Sequence, residues 1–159
     1  MQARLACLGA AGYAIARPSP PQSHFKDRSL MIKTAKDVLA EWMLAVNQGD
    51  LERLLILYHE NAVLIPTFSN RLLSTPAKIR DYFVTLVGSR DELSLALHEK
   101  TLMVQPLKPE LHALSGLYCW RFVLDGEWLS FEARFSYLLD LALSRPILHH
   151  HSSQIPRTL

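Results

Sequence analysis

The sequence has little cysteine and little excess charge, and both shortages exclude classes of function. Its two cysteines, Cys7 and Cys119, form no CxxC pair and are too few for a disulfide framework, so they leave the redox compartment open. Seventeen Lys and Arg residues stand against fifteen Asp and Glu, a net charge of +2, whereas nucleic-acid-binding domains usually carry a clustered basic surplus. No apolar run approaches the roughly eighteen residues of a membrane span. We therefore expect neither nucleic acid nor a membrane as a partner.

Motifs of the commonest enzyme classes are also missing. The chain contains no GxSxG nucleophile elbow, no P-loop, no GxGxxG nucleotide loop and no kinase catalytic motif. Its 159 residues correspond to about one domain, and a hydrophobic fraction of 49% is ordinary for a globular protein. The sequence predicts no cofactor and assigns no residue a catalytic role, which favours a protein that is not an enzyme.

The first thirty residues differ from the rest of the chain. They lack regular periodicity and contain a weakly apolar stretch, residues 5–16, followed by a proline-rich linker. Residues 1–30 fit a disordered tail, a weak signal peptide, or a spurious extension upstream of Met31. We expect one folded domain over residues 31–159. We expect a cytoplasmic protein, or an exported one if residues 1–16 act as a signal peptide.

The folded part shows helical patterns first and strand patterns later. Apolar residues recur at helical spacing over 35–46, and Gly49-Asp50 ends this helix and begins a second. Thr75-Pro76 begins a third helix. From about residue 93 the chain is rich in β-branched, aromatic and leucine residues, and Asp125-Gly126 indicates a hairpin. This order predicts the α+β class, with helices packed in one curved sheet. An unrelated two-layer α+β sandwich fits the same pattern.

Two arginines lie in the middle of predicted strands. Arg121 stands between Trp120 and Phe122, and Arg134 precedes Phe135. Side chains alternate along a strand, so each arginine and its aromatic neighbours occupy opposite faces. An arginine that faces a core needs a carboxylate, a carbonyl or a ligand anion as its partner. Periodicity does not decide which face is buried, and without other information we favour arginines that face solvent.

Three consecutive histidines fall in the last predicted strand. His149 and His151 share one face and His150 points to the other. Two histidines at this spacing can bind a metal, but the sequence shows no third ligand. We interpret them as hydrogen-bonded pocket or interface residues and predict no metal.

Several segments, in their order along the chain, resemble NTF2-like (SnoaL-like) domains. They are residues 47–50, 57–70, 75–83, 133–137 and 149–156. Together they are similar to the association domain of calcium/calmodulin-dependent protein kinase II and its stand-alone bacterial relatives, the SgcJ/EcaC group. The resemblance implies an NTF2-like cone, in which a strongly bent antiparallel sheet closes over N-terminal helices and leaves a deep pocket at its open end.

The same resemblance implies that the arginines face inward. By position they match two pocket arginines of the association domain, and the histidine strand matches a strand beside the pocket. The ligand pocket predicted on this basis consists of Arg121, Arg134, His149, His151, Trp42 and Tyr58. The chain departs from the family where Ser144-Arg145-Pro146 replaces a Gly-x-Trp sequence and where Ser152 replaces an arginine, so the family's ligand and ring size do not transfer.

Three functions fit these expectations. The first is a self-associating, non-catalytic module, at least a homodimer, that binds a small anionic or polar molecule. The second is an enzyme of the SnoaL or ketosteroid-isomerase type that acts on a hydrophobic ketone or polyketide. Its candidate residues are Glu132, His149, Tyr58 and Tyr82. The third is an oligomerisation domain whose arginines pair internally with Glu132.

Overall fold

The computed structural model describes residues 33–88 and 91–156, and the predictions for residues 1–30 lie outside this part. The helices are α1 (Ala35–Gln48), α2 (Leu51–Leu55) and α3 (Pro76–Gly88), with a short 3-10 helix at Glu99–Thr101. The strands are β1 (Tyr58–Ile65), β2 (Asp91–Leu97), β3 (Met103–Pro106), β4 (Leu111–Leu124), β5 (Glu127–Asp140) and β6 (Ile147–Gln154). The predicted α+β class is confirmed. None of the helices described has the length and apolarity that crossing a membrane requires.

The sheet is bent and open, with the strand order β1-β6-β5-β4-β2, and β3 also pairs with β4. Strands β4 and β5 form a long hairpin whose turn, Asp125-Gly126, has φ angles of 52° and 80°, as the hairpin prediction requires. The sheet is mixed and not purely antiparallel, because β1 and β6 pair in parallel. No hairpin joins these two strands, so no turn signal in the sequence sets their relative direction.

Helix α1 packs its apolar stripe into the concave side of the sheet. Thr34 and Asp37 form a capping box at its start. The buried stripe is the predicted one: Ala35, Val38, Leu39, Trp42, Ala45 and Val46. Together with α3, this helix encloses the main apolar core against the inner sheet face. We call the region bounded by α1, α3 and the inner face of the sheet the cone.

Gly49 ends α1 in the left-handed conformation, with φ of 65°, and its N–H donates to the carbonyl groups of Ala45 and Val46. We expect Gly49→Ala to lower the free energy of unfolding by about 1–2 kcal/mol, since a Cβ disfavours this conformation and would lie 3.2 Å from a Val87 methyl group. Urea unfolding measures the change. Gly88→Ala is the matched control, because its Cβ meets nothing within 4 Å. Equal losses in the two variants would contradict the assignment.

Candidate functional site

The alternation of side chains along β4 and β5 places both arginines outside the cone. On β4, Tyr118 and Trp120 are buried and Arg121 is exposed; on β5, Phe135 is buried and Arg134 is exposed. The predicted inward orientation of the arginines is therefore wrong. The physical reason is that turning these faces would expose large aromatic surfaces and bury two guanidinium groups without a carboxylate.

Both arginines and Glu132 lie on the outer face of the sheet. Arg134 donates from Nε to Ser153 Oγ at 3.0 Å, and Arg121 lies opposite Ser94 and Ser130 on the neighbouring strands. Glu132 Oε2 lies 2.6 Å from His98 Nε2. The hypothesised arginine–Glu132 bridge is therefore not what the structure shows.

The histidine that faces the cone is the middle one of the three. His150 is only 2% exposed and pairs with Tyr137 across the sheet. His149 and His151 are half-buried on the outer face, where they pair with Leu138 and Ser136. The prediction that His149 and His151 line the pocket is wrong, because strand parity assigns that position to His150.

Trp42, Tyr58 and His150 form a buried chain of hydrogen bonds. Trp42 Nε1 donates to the Tyr58 hydroxyl at 2.9 Å, and that hydroxyl lies 2.7 Å from His150 Nδ1. An indole N–H can only donate, so the Tyr58 hydroxyl accepts from Trp42, and we assign its own proton to the hydrogen bond with Nδ1. This assignment leaves the His150 proton on Nε2. Of the predicted pocket residues, Trp42 and Tyr58 are the two that the structure brings together inside the cone.

Burial keeps this chain uncharged at neutral pH. It lowers the pKa of His150 well below the ordinary value, and the neighbouring His149 and His151 lower it further. Burial raises the pKa of Tyr58 well above the ordinary value, although the hydrogen bond from Trp42 partly opposes this. The His150 ring is thus a neutral donor from Nε2, not a cation that would attract an anion.

A second hydrogen-bonded group ties the loop after β1 to the sheet. The Tyr118 hydroxyl donates to Ser152 Oγ at 2.5 Å, and Ser152 also shares a hydrogen bond with the Thr67 hydroxyl. Burial raises the pKa of Tyr118 above the ordinary value, with the Ser152 hydrogen bond opposing this. Ser152, which the sequence analysis noted only as a missing arginine, is a neutral inner-face residue.

Two buried polar atoms inside the cone, His150 Nε2 and the Tyr137 hydroxyl, have no hydrogen-bond partner. Trp120 Nε1 has the Tyr118 hydroxyl as its hydrogen-bonding neighbour. His150 and Trp120 line the same cavity, whose volume of about 10 Å³ leaves room for about one water molecule. The Tyr137 ring stacks on His150 with 4.0 Å between centroids. Since buried polar groups are normally paired, the His150 N–H group indicates a site for a hydrogen-bond acceptor.

His150, Trp120 and Tyr137 were not among the site residues predicted from the sequence. Aromatic and polar residues alternate along the last three strands, and this alternation could have identified them. The resemblance instead implied that the opposite face of these strands lines the pocket. Within residues 33–88 and 91–156, no group of three or more His, Cys, Asp or Glu side chains is arranged to hold a metal ion.

Comparison with known proteins shows the fold. No family model and no curated protein matches the chain. A Xanthomonas campestris structure named for the calcium/calmodulin-dependent protein kinase II association domain is 22% identical, with a TM-score of 0.69 over 77% of this chain and 86% of that one. A Streptomyces avermitilis structure from the NTF2-like family, named for a dehydratase, is 11% identical, with a TM-score of 0.66 over 75% of this chain and 91% of the other. A ketosteroid isomerase-like protein from Erwinia carotovora atroseptica is 9% identical, with a TM-score of 0.63 over 76% and 93%. The chain has the NTF2-like fold that the sequence resemblance implied.

Proposed function

We propose that this protein is a self-associating, non-catalytic module whose cone binds a small neutral molecule through a hydrogen-bond acceptor. The observation that carries the proposal is the unpartnered N–H group of buried His150, which lines a small cavity together with Trp120. A carbonyl oxygen can accept a hydrogen bond from this donor. The surrounding aromatic side chains would hold the apolar part of such a ligand.

A neutral ligand fits the cone better than an anion. Arg121 and Arg134 point away from the cone, and burial keeps His150 uncharged. A carboxylate would lose its hydration without gaining a cation, and burying an unpaired charge is costly. The sequence predicted a small anionic or polar ligand, and the orientation of the arginines leads us to propose a polar, uncharged one.

The contents of the cone favour binding without turnover. Among the described residues, the buried polar or charged side chains apart from Tyr and Trp are His150 and Ser152, and no carboxylate is buried. The basic nitrogen of His150 is Nδ1, which the Tyr58 hydroxyl occupies. A general base must be free to reach the proton it removes, and the cone presents none.

An enzyme is the alternative, and one contact favours it. Tyr58 and His150 lie 2.7 Å apart, so Tyr58 could hold the His150 proton on Nε2, where it would donate a hydrogen bond to the oxygen of an enolate. Hydroxide from the buffer would take the methyl proton and become water, and the enolate carbon would then take a deuteron from the solvent. The test is exchange of the methyl protons of acetophenone for deuterium, followed by NMR. Exchange at the rate of buffer alone supports the binding module. Exchange that is faster and is lost in Tyr58→Phe supports the enzyme.

Binding is tested by calorimetry with three molecules of one shape. Acetophenone carries a neutral acceptor, ethylbenzene has none, and benzoate is charged. We expect acetophenone to bind best, and His150→Phe to weaken it about three- to tenfold, the value of one hydrogen bond. Arg134→Ala is the control and should leave its affinity unchanged. Preference for benzoate, or loss of binding in Arg134→Ala, would contradict the proposal.

The outer face of β4 and β5 supports self-association. Half-buried Leu117 and Leu138 lie there beside exposed Glu132 and Arg134. A two-fold interface brings the same patch of both copies together, so Glu132 of one copy can meet Arg134 of the other. Light scattering is expected to show a dimer in the native protein and a monomer in Leu138→Lys. The control is Leu124→Lys, which changes an exposed residue at the hairpin end. A native monomer would contradict self-association.

A further inference from the structure

Phe68 fills an aromatic box on the wall of the cone. It lies in the loop between β1 and α3 and is half-buried. Its ring meets Trp120, Phe122 and Phe131 edge to face, with centroids 5.4, 5.7 and 6.1 Å away. These three rings come from β4 and β5, so a side chain of a loop occupies a ring-sized place built by the sheet. Edge-to-face packing of this kind is the arrangement that aromatic rings prefer.

The aromatic box adjoins the small polar cavity. Trp120 belongs to both, because it touches Phe68 and also lines the cavity of about 10 Å³. Pro66 and Thr67, the two residues before Phe68, line that cavity as well. If Phe68 left the box, a ring-sized space would join the cavity at Trp120. The space so formed would be apolar at one end and would carry the unpartnered His150 N–H group at the other.

The loop that carries Phe68 is fastened at its base. Leu64 and Leu73 exchange two backbone hydrogen bonds, of 2.8 and 2.9 Å, and so close the loop like a short hairpin. Beyond this base, the hydrogen bond between Thr67 and Ser152 and the ring contacts of Phe68 hold the loop on the sheet. The exposed side chains of Asn70 and Leu72 lie on the solvent side of the loop. Displacing residues 66–72 would therefore break the Thr67–Ser152 hydrogen bond and the Phe68 ring contacts, and it would leave the pairing of Leu64 with Leu73 and of Ile65 with His151 in place.

We propose that the Phe68 ring occupies the place of the ligand's ring. The ligand is a single-ring aromatic molecule that bears a carbonyl group, and it enters when the loop of residues 66–72 opens. The proposal rests on the proposed function and names its ligand class and its gate. The ligand's ring replaces Phe68 among Trp120, Phe122 and Phe131. Its carbonyl oxygen accepts from the N–H group of His150. The closed cone has room for only about one water, so it opens only for a molecule that restores the ring contacts that Phe68 gives up.

The test is the rate at which acetophenone enters, followed by stopped-flow tryptophan fluorescence on the full chain. We expect Phe68→Ala to raise the association rate about tenfold or more and to tighten binding, since the native protein binds only through its open fraction. Phe68→Leu should lie between the two and serves if the alanine variant does not fold. The matched control is Leu72→Ala in the same loop, where the side chain is 56% exposed and the rate should not change. A purely structural role for Phe68 would lower stability without accelerating entry.

The position of the acetophenone ring in the complex is determined independently by NMR. In the complex with the native protein, nuclear Overhauser contacts are expected between the ring protons of acetophenone and the Phe131 side chain. Equal rates and affinities in the native protein and Phe68→Ala, or ring contacts elsewhere, would overturn the gate and leave the binding function standing. Absence of binding in the native protein, Phe68→Ala and Phe68→Leu alike would overturn both. Binding by Phe68→Ala that far exceeds native binding supports the gate.

Discussion

Trp42→Ala is expected to lower the free energy of unfolding by about 3–5 kcal/mol, the range for removing a buried tryptophan. Trp42 is 1% exposed and lies at the centre of the cone. Its ring contacts those of Phe83, Tyr118, Trp120, Tyr137 and His150. The substitution also removes the N–H that donates to the Tyr58 hydroxyl, so a cavity and a weakened hydrogen-bond chain act together.

Equilibrium unfolding in guanidinium chloride, followed by circular dichroism, measures this loss. The matched control is Trp128→Ala, because Trp128 is 62% exposed at the β4–β5 hairpin. Surface substitutions usually change stability by about 0.5 kcal/mol or less. A Trp42→Ala loss below about 1 kcal/mol would show that the cone is not packed around this residue.

Acid is expected to destabilise the protein through His150. Burial lowers its pKa in the folded state, whereas in the unfolded chain it titrates near 6.5. Below a pH of about 6.5 the unfolded chain binds a proton at this histidine and the folded protein does not. The free energy of unfolding therefore falls as the pH falls. The loss approaches about 1.4 kcal/mol per pH unit until the folded-state pKa is reached. His149, whose pKa burial also lowers, adds a smaller loss of the same sign.

The groups around His150 do not offset the cost of protonating it in the folded state. Tyr58 bonds its Nδ1, Tyr137 stacks on its ring, and His149 and His151 flank it with like charge when protonated. The measurement is the midpoint of urea unfolding between pH 7 and pH 5. His150→Phe should reduce the slope of stability against pH, and the control Trp128→Ala, which removes an exposed side chain without a titratable group, should keep it. An unchanged slope in His150→Phe would show that this ring is not buried as a neutral group.

Local patterns predicted the features that neighbouring residues determine. The capping box of Thr34, the apolar stripe around Trp42 and the helix end at Gly49 each depend on residues a few positions apart. The turn at Asp125-Gly126 likewise depends on two residues that accept positive φ angles. Such signals survive in any tertiary context, and they were enough for the α+β class.

The face of each strand could not be predicted in the same way. Alternation around Arg121 and Arg134 shows that arginines and aromatics take opposite faces, but the choice depends on which face packs against α1. Before the resemblance is considered, the sequence favours solvent-facing arginines, and the structure has this orientation. The resemblance carried over positions from proteins that share the fold at low identity. In this chain the buried residues of the inner face are aromatic, apolar or neutral, and Ser152 is one of them.

The parallel pairing of β1 with β6 could not be predicted from the sequence either. It places Leu64 opposite His150, although 85 residues lie between them in the chain. This pairing, together with the Tyr58 contact, is what makes His150 an inner residue with a fixed proton. The site therefore depends on a long-range contact that no local pattern encodes.

The most direct test of the account is the ring ¹⁵N NMR spectrum of His150 at pH 7 during a titration with acetophenone. The account predicts a neutral ring protonated on Nε2, with an Nε2 signal that shifts with acetophenone and not with ethylbenzene. A charged ring, a proton on Nδ1, or an unchanged His150 signal while His149 and His151 respond would contradict it.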